Sequence, residues 1–205
     1  MSILVTTSYL PPVSFISACF GRQKIIIEGF ETYTRQTFRN HCLIYGPNGI
    51  QQLSVPVSKV YGNHTRTRDI RIFHGSNWQK NHWRSIETAY NNSPFFLYYR
   101  DHFESFYVQK FDLLLDLNSE LLKVIFSILG TEKEIGFTDH YVKNPDDIID
   151  MRGLSKPKRD ISGNSFPQYQ QTFSPKSGFQ PDLSIIDLIF NLGPEASDYI
   201  GALPV

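Results

Sequence analysis

The chain has 205 residues, and its 20 basic side chains balance its 20 acidic ones, so its overall charge gives it no attraction to nucleic acid or to an anionic membrane surface. A hydrophobic fraction of 40%, with 16 Phe and 11 Tyr, excludes a disordered chain and suffices for a sizeable core. The two cysteines, Cys19 and Cys42, have no CxxC or Cys/His spacing, which argues against structural zinc and fits a reducing cytoplasm, while no signal peptide and no stretch of ~20 apolar residues for a membrane span is read.

Ile3 to Thr6 reads as a short strand, Ser8 to Pro12 as a turn, and Val13 to Phe20 as a helix with Pro12 near its first turn. KIIIE, from Lys24 to Glu28, is a compact apolar run and predicts a buried strand. His41 to Tyr45 is strand-like. The Gly46-Pro47-Asn48-Gly49 turn follows, and Leu53, Val55 and Val57 then alternate with polar or small residues, which together predict a β-hairpin. Lys59 to Thr67 is a polar loop, and Asp69 to Phe73 alternates as a further strand.

The helical part begins at Asn77, a suitable N-cap. Trp78, His82, Ile86 and Tyr90 recur at four-residue steps and mark an amphipathic helix. Asn91 to Pro94 ends it, because proline disfavours helical backbone at the preceding residue. A second helix is expected from about Pro94 to Tyr107. A third is expected from about Lys110 to Leu129, with a kink or a split in two at Asp116 to Asn118 and a stop at Gly130. Glu134 to Phe137 fits a short edge strand, and Ile148 to Met151 a further one. Gly153 to Pro181 is rich in Gly, Pro, Ser and Lys yet holds Phe166, Tyr169, Phe173 and Phe179, so it reads as a long ordered loop docked on the domain. DLSIIDLIFNLG closes as a helix with Asp182 or Ser184 near its cap and Gly193 at its stop. The sum is α+β in class: a single domain over residues 1–205, with N-terminal strands including a β-hairpin, then a helical part.

No P-loop, GxGxxG, GxSxG or HExxH motif is present. His82 is the leading chemical candidate. On the inner face of a helix it is either a core histidine bonded to backbone or carboxylate, or a general base near neutral pH. Arg39 and Asn40 precede a strand. Arg39 offers a planar fork for carboxylate or phosphate, and Asn40 both donates and accepts. The alternative is that they tie down a turn. Tyr9, Pro11 and Pro12 follow the first strand, where α/β proteins place binding residues, although a rigid turn has the same composition. Cys42 reads as a small buried hydrophobe. Lys156, Lys158 and Arg159 form a small basic run, of the kind that is usually solvated. A metal is not assigned, although His74, His82, His102 and Asp69 are available to converge.

Tyr9-Leu10-Pro11-Pro12, TFRNHCLIYGPNGIQQLSVPV, WQKNHWRSIETAYNNSPFF and GFQPDLSIIDLIFNLGPEA, in that order and spacing, resemble the WbqC-like protein family, in the subgroup common in Bacteroidetes. Tyr9, Pro11, Arg39, Asn40, Trp78 and His82 stand at the family's recurrent positions. Many members carry Gln-Pro before the aromatic residue of the first block, where this chain has Thr7-Ser8. The resemblance implies a bacterial, cytoplasmic role in lipopolysaccharide or O-antigen biosynthesis. The activity it implies is transfer of an acyl or aminoacyl group to an amino sugar, with a nucleotide-sugar or other activated small molecule as partner and no implied cofactor. In that reading His82 and Asn40 are catalytic, as base and oxyanion donor. Arg39, Tyr9, Pro11 and Trp78 bind substrate. The competing expectation is a non-catalytic sugar- or protein-binding module of an envelope-biosynthesis assembly, drawing on the aromatic residues of 95–107 and of the long loop.

Overall fold

Strands β1 (Ile3–Thr6) and β2 (Lys24–Glu28) are short apolar runs because they lie at the centre of a parallel sheet, where both faces are covered. They are joined through α1 (Val13–Phe20), the crossover that parallel neighbours require. The computed structural model describes residues 2–145, 147–156 and 166–204. The turn from β1 into α1 holds Leu10 at φ 40°, a backbone region that a branched side chain rarely adopts.

The hairpin turns where the sequence puts it, but its second strand ends at Ser54, short of Val55 and Val57. β3 (His41–Gly46) and β4 (Gly49–Ser54) pair antiparallel, with Gly46 opposite Gly49. Gly49 takes φ 103°, which a side chain would strain. The next expected strand is shorter than its alternation suggests. β5 (Val57–Ser58) pairs with β6 (Arg71–Ile72), and residues 67–69 form a 3₁₀ turn instead.

α2 (Trp78–Tyr90) buries the predicted stripe and Ala89, which the spacing sets beside it, and adds Trp83. α3 (Phe96–Val108) follows. α4 spans Leu114–Ile128 without a break at Asp116 to Asn118. The four residues before it are not helical as expected, because their backbone bonds to the β6 region: Ile72 N–H to Asp112 C=O and Leu114 N–H to Ile70 C=O.

The chain then returns to the first sheet. β7 (Glu134–Phe137) adds beside β2 and β8 (Ile149–Asp150) beside β1, both parallel, giving the order β7-β2-β1-β8. The fold is α+β, with helices and strands in one continuous apolar core. The parallel sheet nevertheless takes half its strands from beyond the helices, so strands do not simply precede helices.

The described parts of the long loop, 153–156 and 166–181, are docked on the core as expected, Ser155 being buried in the first. Gln171 is fully buried and donates to the Gln180 carbonyl and to Asp187 Oδ2 at 2.9 and 2.8 Å. The loop encloses one turn of helix, α5 (Ser174–Ser177). The closing helix is α6 (Ile185–Leu192), with Ser184, one of the two expected residues, at its cap position. Gly193 stops it at φ 58°, and α7 (Ala196–Ala202) follows. Phe190 of α6 is a ring hub, with centroids 5.3 Å from Tyr90, 5.0 Å from Phe96 and 5.6 Å from Phe103. The first and last family-like blocks meet: Ile185 N–H donates to Pro11 C=O and Val13 N–H to Leu183 C=O. Asp182 meanwhile accepts from the Ser14 amide at 2.8 Å, a carboxylate at the start of α1. Among the described residues, no helix is long and apolar enough to cross a membrane.

Candidate functional site

The helical stripe carries His82 into the core. His82 is 6% exposed. Its Nδ1 lies 2.9 Å from the Tyr9 hydroxyl, which lies 2.8 Å from the Tyr107 hydroxyl. The Trp78 ring stands edge-on at 5.1 Å. Burial lowers the His82 pKa to about 4, opposed in part by a hydrogen bond to the Ser54 backbone. The imidazole is therefore neutral at pH 7. If the Ser54 carbonyl accepts from the ring, Nδ1 accepts from Tyr9, and Tyr9 in turn accepts from Tyr107. These are the bonds of a satisfied core histidine. Tyr9 and Trp78, expected at a substrate surface, are buried beside it. Pro11 is buried as well and works through its carbonyl.

Arg39 and Asn40, adjacent in sequence, serve different places. The Asn40 amide donates to the Val55 carbonyl at 2.9 Å while Val55 N–H returns a bond to Asn40 C=O, fixing the end of the hairpin. Arg39 is buried at the carboxyl end of the parallel sheet. Its Nε and Nη2 reach Glu31 Oε1 at 3.0 and 2.7 Å, and its Nη1 donates to Thr37 Oγ1 and Ser155 Oγ, both at 3.1 Å. The Thr6 hydroxyl, at the end of β1, also donates to Glu31 Oε1. Asn118 of α4 braces the same corner, donating to Thr7 Oγ1 at 3.0 Å and to Arg39 C=O at 2.8 Å. That role explains why a polar residue lies on the inner face of α4.

Glu28, opposite Thr6 in the sheet, is fully buried. It accepts from Phe30 N–H and the Thr138 hydroxyl at 2.8 and 2.9 Å, and from Val142 N–H at 3.0 Å, with Arg152 3.7 Å away. It thereby ties the ends of β2 and β7 and the loop that follows. A cleft of about 630 Å³ opens over this edge, lined by Phe30, Glu31, Thr32, His64, Arg66 and Tyr141. The ends of parallel strands are where open α/β sheets bind ligands.

Of the six residues singled out from the sequence, the structure joins Tyr9, Trp78 and His82 in one buried cluster. It sets Arg39 at the sheet edge and Asn40 at the hairpin. Sequence reading missed Thr6, Glu28, Glu31, Phe30 and Arg66. The available signal was positional: Thr6 and Glu28 close two apolar strands, and polar residues at such ends seldom serve the core alone. Cys42 is buried and burial pushes its thiol pKa up, as a core thiol requires. His74, His82, His102 and Asp69 do not form a metal-holding group. Lys158 and Arg159 lie outside the described residues.

Residues 7–155 and 159–199 match the WbqC-like protein family, a span that includes every element of the sheet edge except β1. The chain belongs to the WbqC-like family. It is 27% identical over 222 residues to the uncharacterized protein Rv1507c of Mycobacterium tuberculosis, across 96% of each chain. No solved structure matches it. All four blocks that carry the family resemblance are thus placed: the first, second and third meet at Tyr9, Ser54 and His82, and the fourth closes over Pro11.

Proposed function

We propose that this WbqC-like protein is a cytoplasmic transferase of bacterial cell-surface polysaccharide biosynthesis, of the kind associated with lipopolysaccharide and O-antigen, moving an acyl or aminoacyl group onto the amine of an activated amino sugar. The Bacteroidetes-type subgrouping of the four sequence blocks belongs to the same reading. The observation that carries it is the cleft at the carboxyl edge of the sheet, with the Glu31 carboxylate in its wall and Arg39 holding that carboxylate from behind.

In this reading the acceptor amine binds against Glu31 as an ammonium and gives it a proton. The freed nitrogen attacks the acyl carbonyl carbon, a C–N bond forms, and the bond from that carbon to its carrier breaks, the carrier leaving with the electron pair and with the second proton of the attacking nitrogen, so that a neutral amide results. His82 enters as a positioning residue. It fixes Tyr9, whose amide donates to Phe38 C=O at 2.8 Å, immediately before Arg39. Asn40 positions the same segment from the hairpin side.

The test is complementation of a deletion strain, with the surface polysaccharide read by mass spectrometry. The wild type is expected to restore an acylated amino sugar and Glu31→Gln to fail, since loss of a general base costs ~100- to 10,000-fold in rate. Full restoration by a folded Glu31→Gln protein overturns the assignment. A binding-module reading is favoured by one feature, the exposure of Leu97, Tyr98 and Val108 along α3. It predicts that deletion leaves the polysaccharide's acylation unchanged.

A further inference from the structure

We infer that the sheet-edge cleft takes a nucleoside diphosphate, with the pyrophosphate held between Arg66 and Arg68 across the ring of Phe30. This rests on the transferase reading only for the sugar carried beyond the second phosphate.

The two guanidinium groups lie 5.2 and 4.6 Å from the centroid of the Phe30 ring. Both arginines are exposed, while Thr65 and Thr67 between and before them are fully buried. The alternation is imposed by backbone pairing. Tyr33 N–H bonds to Thr65 C=O, Thr67 N–H to Glu31 C=O, and Arg68 N–H to Gly29 C=O. A Cβ at position 29 would lie 3.3 Å from Arg68 Cβ, so Gly29 lets the two segments close up. Both cations are therefore aimed by a fixed backbone, which lowers the entropy lost when they bind an anion.

Charge points the same way. In a chain of zero net charge, residues 59–71 carry Lys59, Arg66, Arg68 and Arg71 against the single acid Asp69. Among the described residues the ion pair of Arg68 is a long one, to Asp69 at 3.9 Å, and Glu31 is already held by Arg39. A planar donor fork with unused capacity suits phosphate oxygens.

Two hollows share Phe30 in their linings, and they decide what accompanies the phosphates. The first is a cavity of about 270 Å³, with apolar walls from Phe30, Leu113, Leu115 and Phe137 and with Asp116 and Thr138 as polar groups. A flat base fits such walls, and a carboxylate accepts from ribose hydroxyls or base N–H groups. The second is the larger cleft of Glu31, His64 and Arg66, where the sugar's amine would face Glu31. Arg68 borders the first hollow and Arg66 the second, so the pyrophosphate would pass from one to the other over the Phe30 ring that both arginines face.

Titration calorimetry of the full chain with UDP, dTDP, CDP, GDP, ADP and inorganic pyrophosphate tests this. At least one nucleoside diphosphate is expected to bind more tightly than pyrophosphate, and to weaken as salt is raised. Arg66→Ala and Arg68→Ala should each weaken it by about tenfold or more, the range for losing a charged hydrogen-bond partner. Arg84→Ala, exposed beside a separate cleft next to the hairpin, should bind as the wild type does. Three results overturn the proposal: no nucleoside diphosphate binds, pyrophosphate binds equally well, or both arginine variants bind like the wild type. Such a failure is distinct from failure of the transferase reading, which is judged by acylated product in vivo and by Glu31→Gln.

Discussion

Arg39 and Glu31 form a largely buried ion pair in which two guanidinium nitrogens converge on one carboxylate oxygen, Oε1, with side-chain exposures of 6% and 15%. The Thr6 hydroxyl donates to the same oxygen. The pair joins the end of β1, the segment after β2 and the approach to β3.

Removing one partner should therefore cost far more than a surface ion pair would. Arg39→Met is expected to destabilise the protein by about 3–5 kcal/mol, because it leaves a largely buried carboxylate without its counter-charge. Arg39→Met combined with Glu31→Gln should recover part of that loss. Urea unfolding of the two single variants and the double variant gives the coupling. A loss below about 1 kcal/mol for Arg39→Met would mean that the pair is solvated.

His82→Ala should lower stability, by about 2–4 kcal/mol, since it opens a cavity and strips the Tyr9 hydroxyl of a partner in a dry site. His82→Gln, which keeps a polar side chain, should lose less. Thermal unfolding checks the ranking. Equal melting temperatures for the wild type and His82→Ala would place the imidazole in solvent.

The same residue sets a pH dependence. Its folded pKa of about 4 lies below the ordinary histidine value of 6.5, so the unfolded chain binds the extra proton between them. The stabilisation is complete above about pH 6.5, fades as the pH falls and is gone below about pH 4, a swing of about 3 kcal/mol. Burial also lowers the pKa of His41, which acts in the same direction. Asp187, pushed up by burial, acts oppositely: its contribution is present below the ordinary carboxyl range and lost as the pH rises through the folded value. Urea titrations at pH 7 and pH 4.5 should show a clear loss in the wild type and a smaller one in His82→Gln.

Asp187→Ala should release the docked loop. Asp187 Oδ2 accepts from Tyr169 at 2.6 Å and Gln171 at 2.8 Å, and Gln171 in turn holds residue 180 through both ends of its amide. Hydrogen exchange in residues 169–180 is expected to quicken well before that of β1 and β2. Uniform exchange across the chain would show that the loop and the sheet open together.

Local chemistry was enough for the elements whose pattern their own neighbours decide. The stripe of Trp78, His82, Ile86 and Tyr90, the Gly46 to Gly49 turn and the short apolar runs of β1 and β2 follow from period, turn chemistry and burial. So does the membership suggested by four sequence blocks. Tertiary structure decided the rest. Residues 110–113 left the helical pattern because their backbone groups bond to the β6 region. β7 and β8 joined a parallel sheet because β1 and β2 left edges to be paired, which no local period records. His82 could be assigned to an inner face from spacing alone. Whether that face met a cleft or the hydroxyl of Tyr9, 73 positions earlier, depended on long-range packing. Arg66 lay in the expected polar loop and Glu31 and Arg68 showed no pattern of their own; the ends of the strands brought all three together around Phe30.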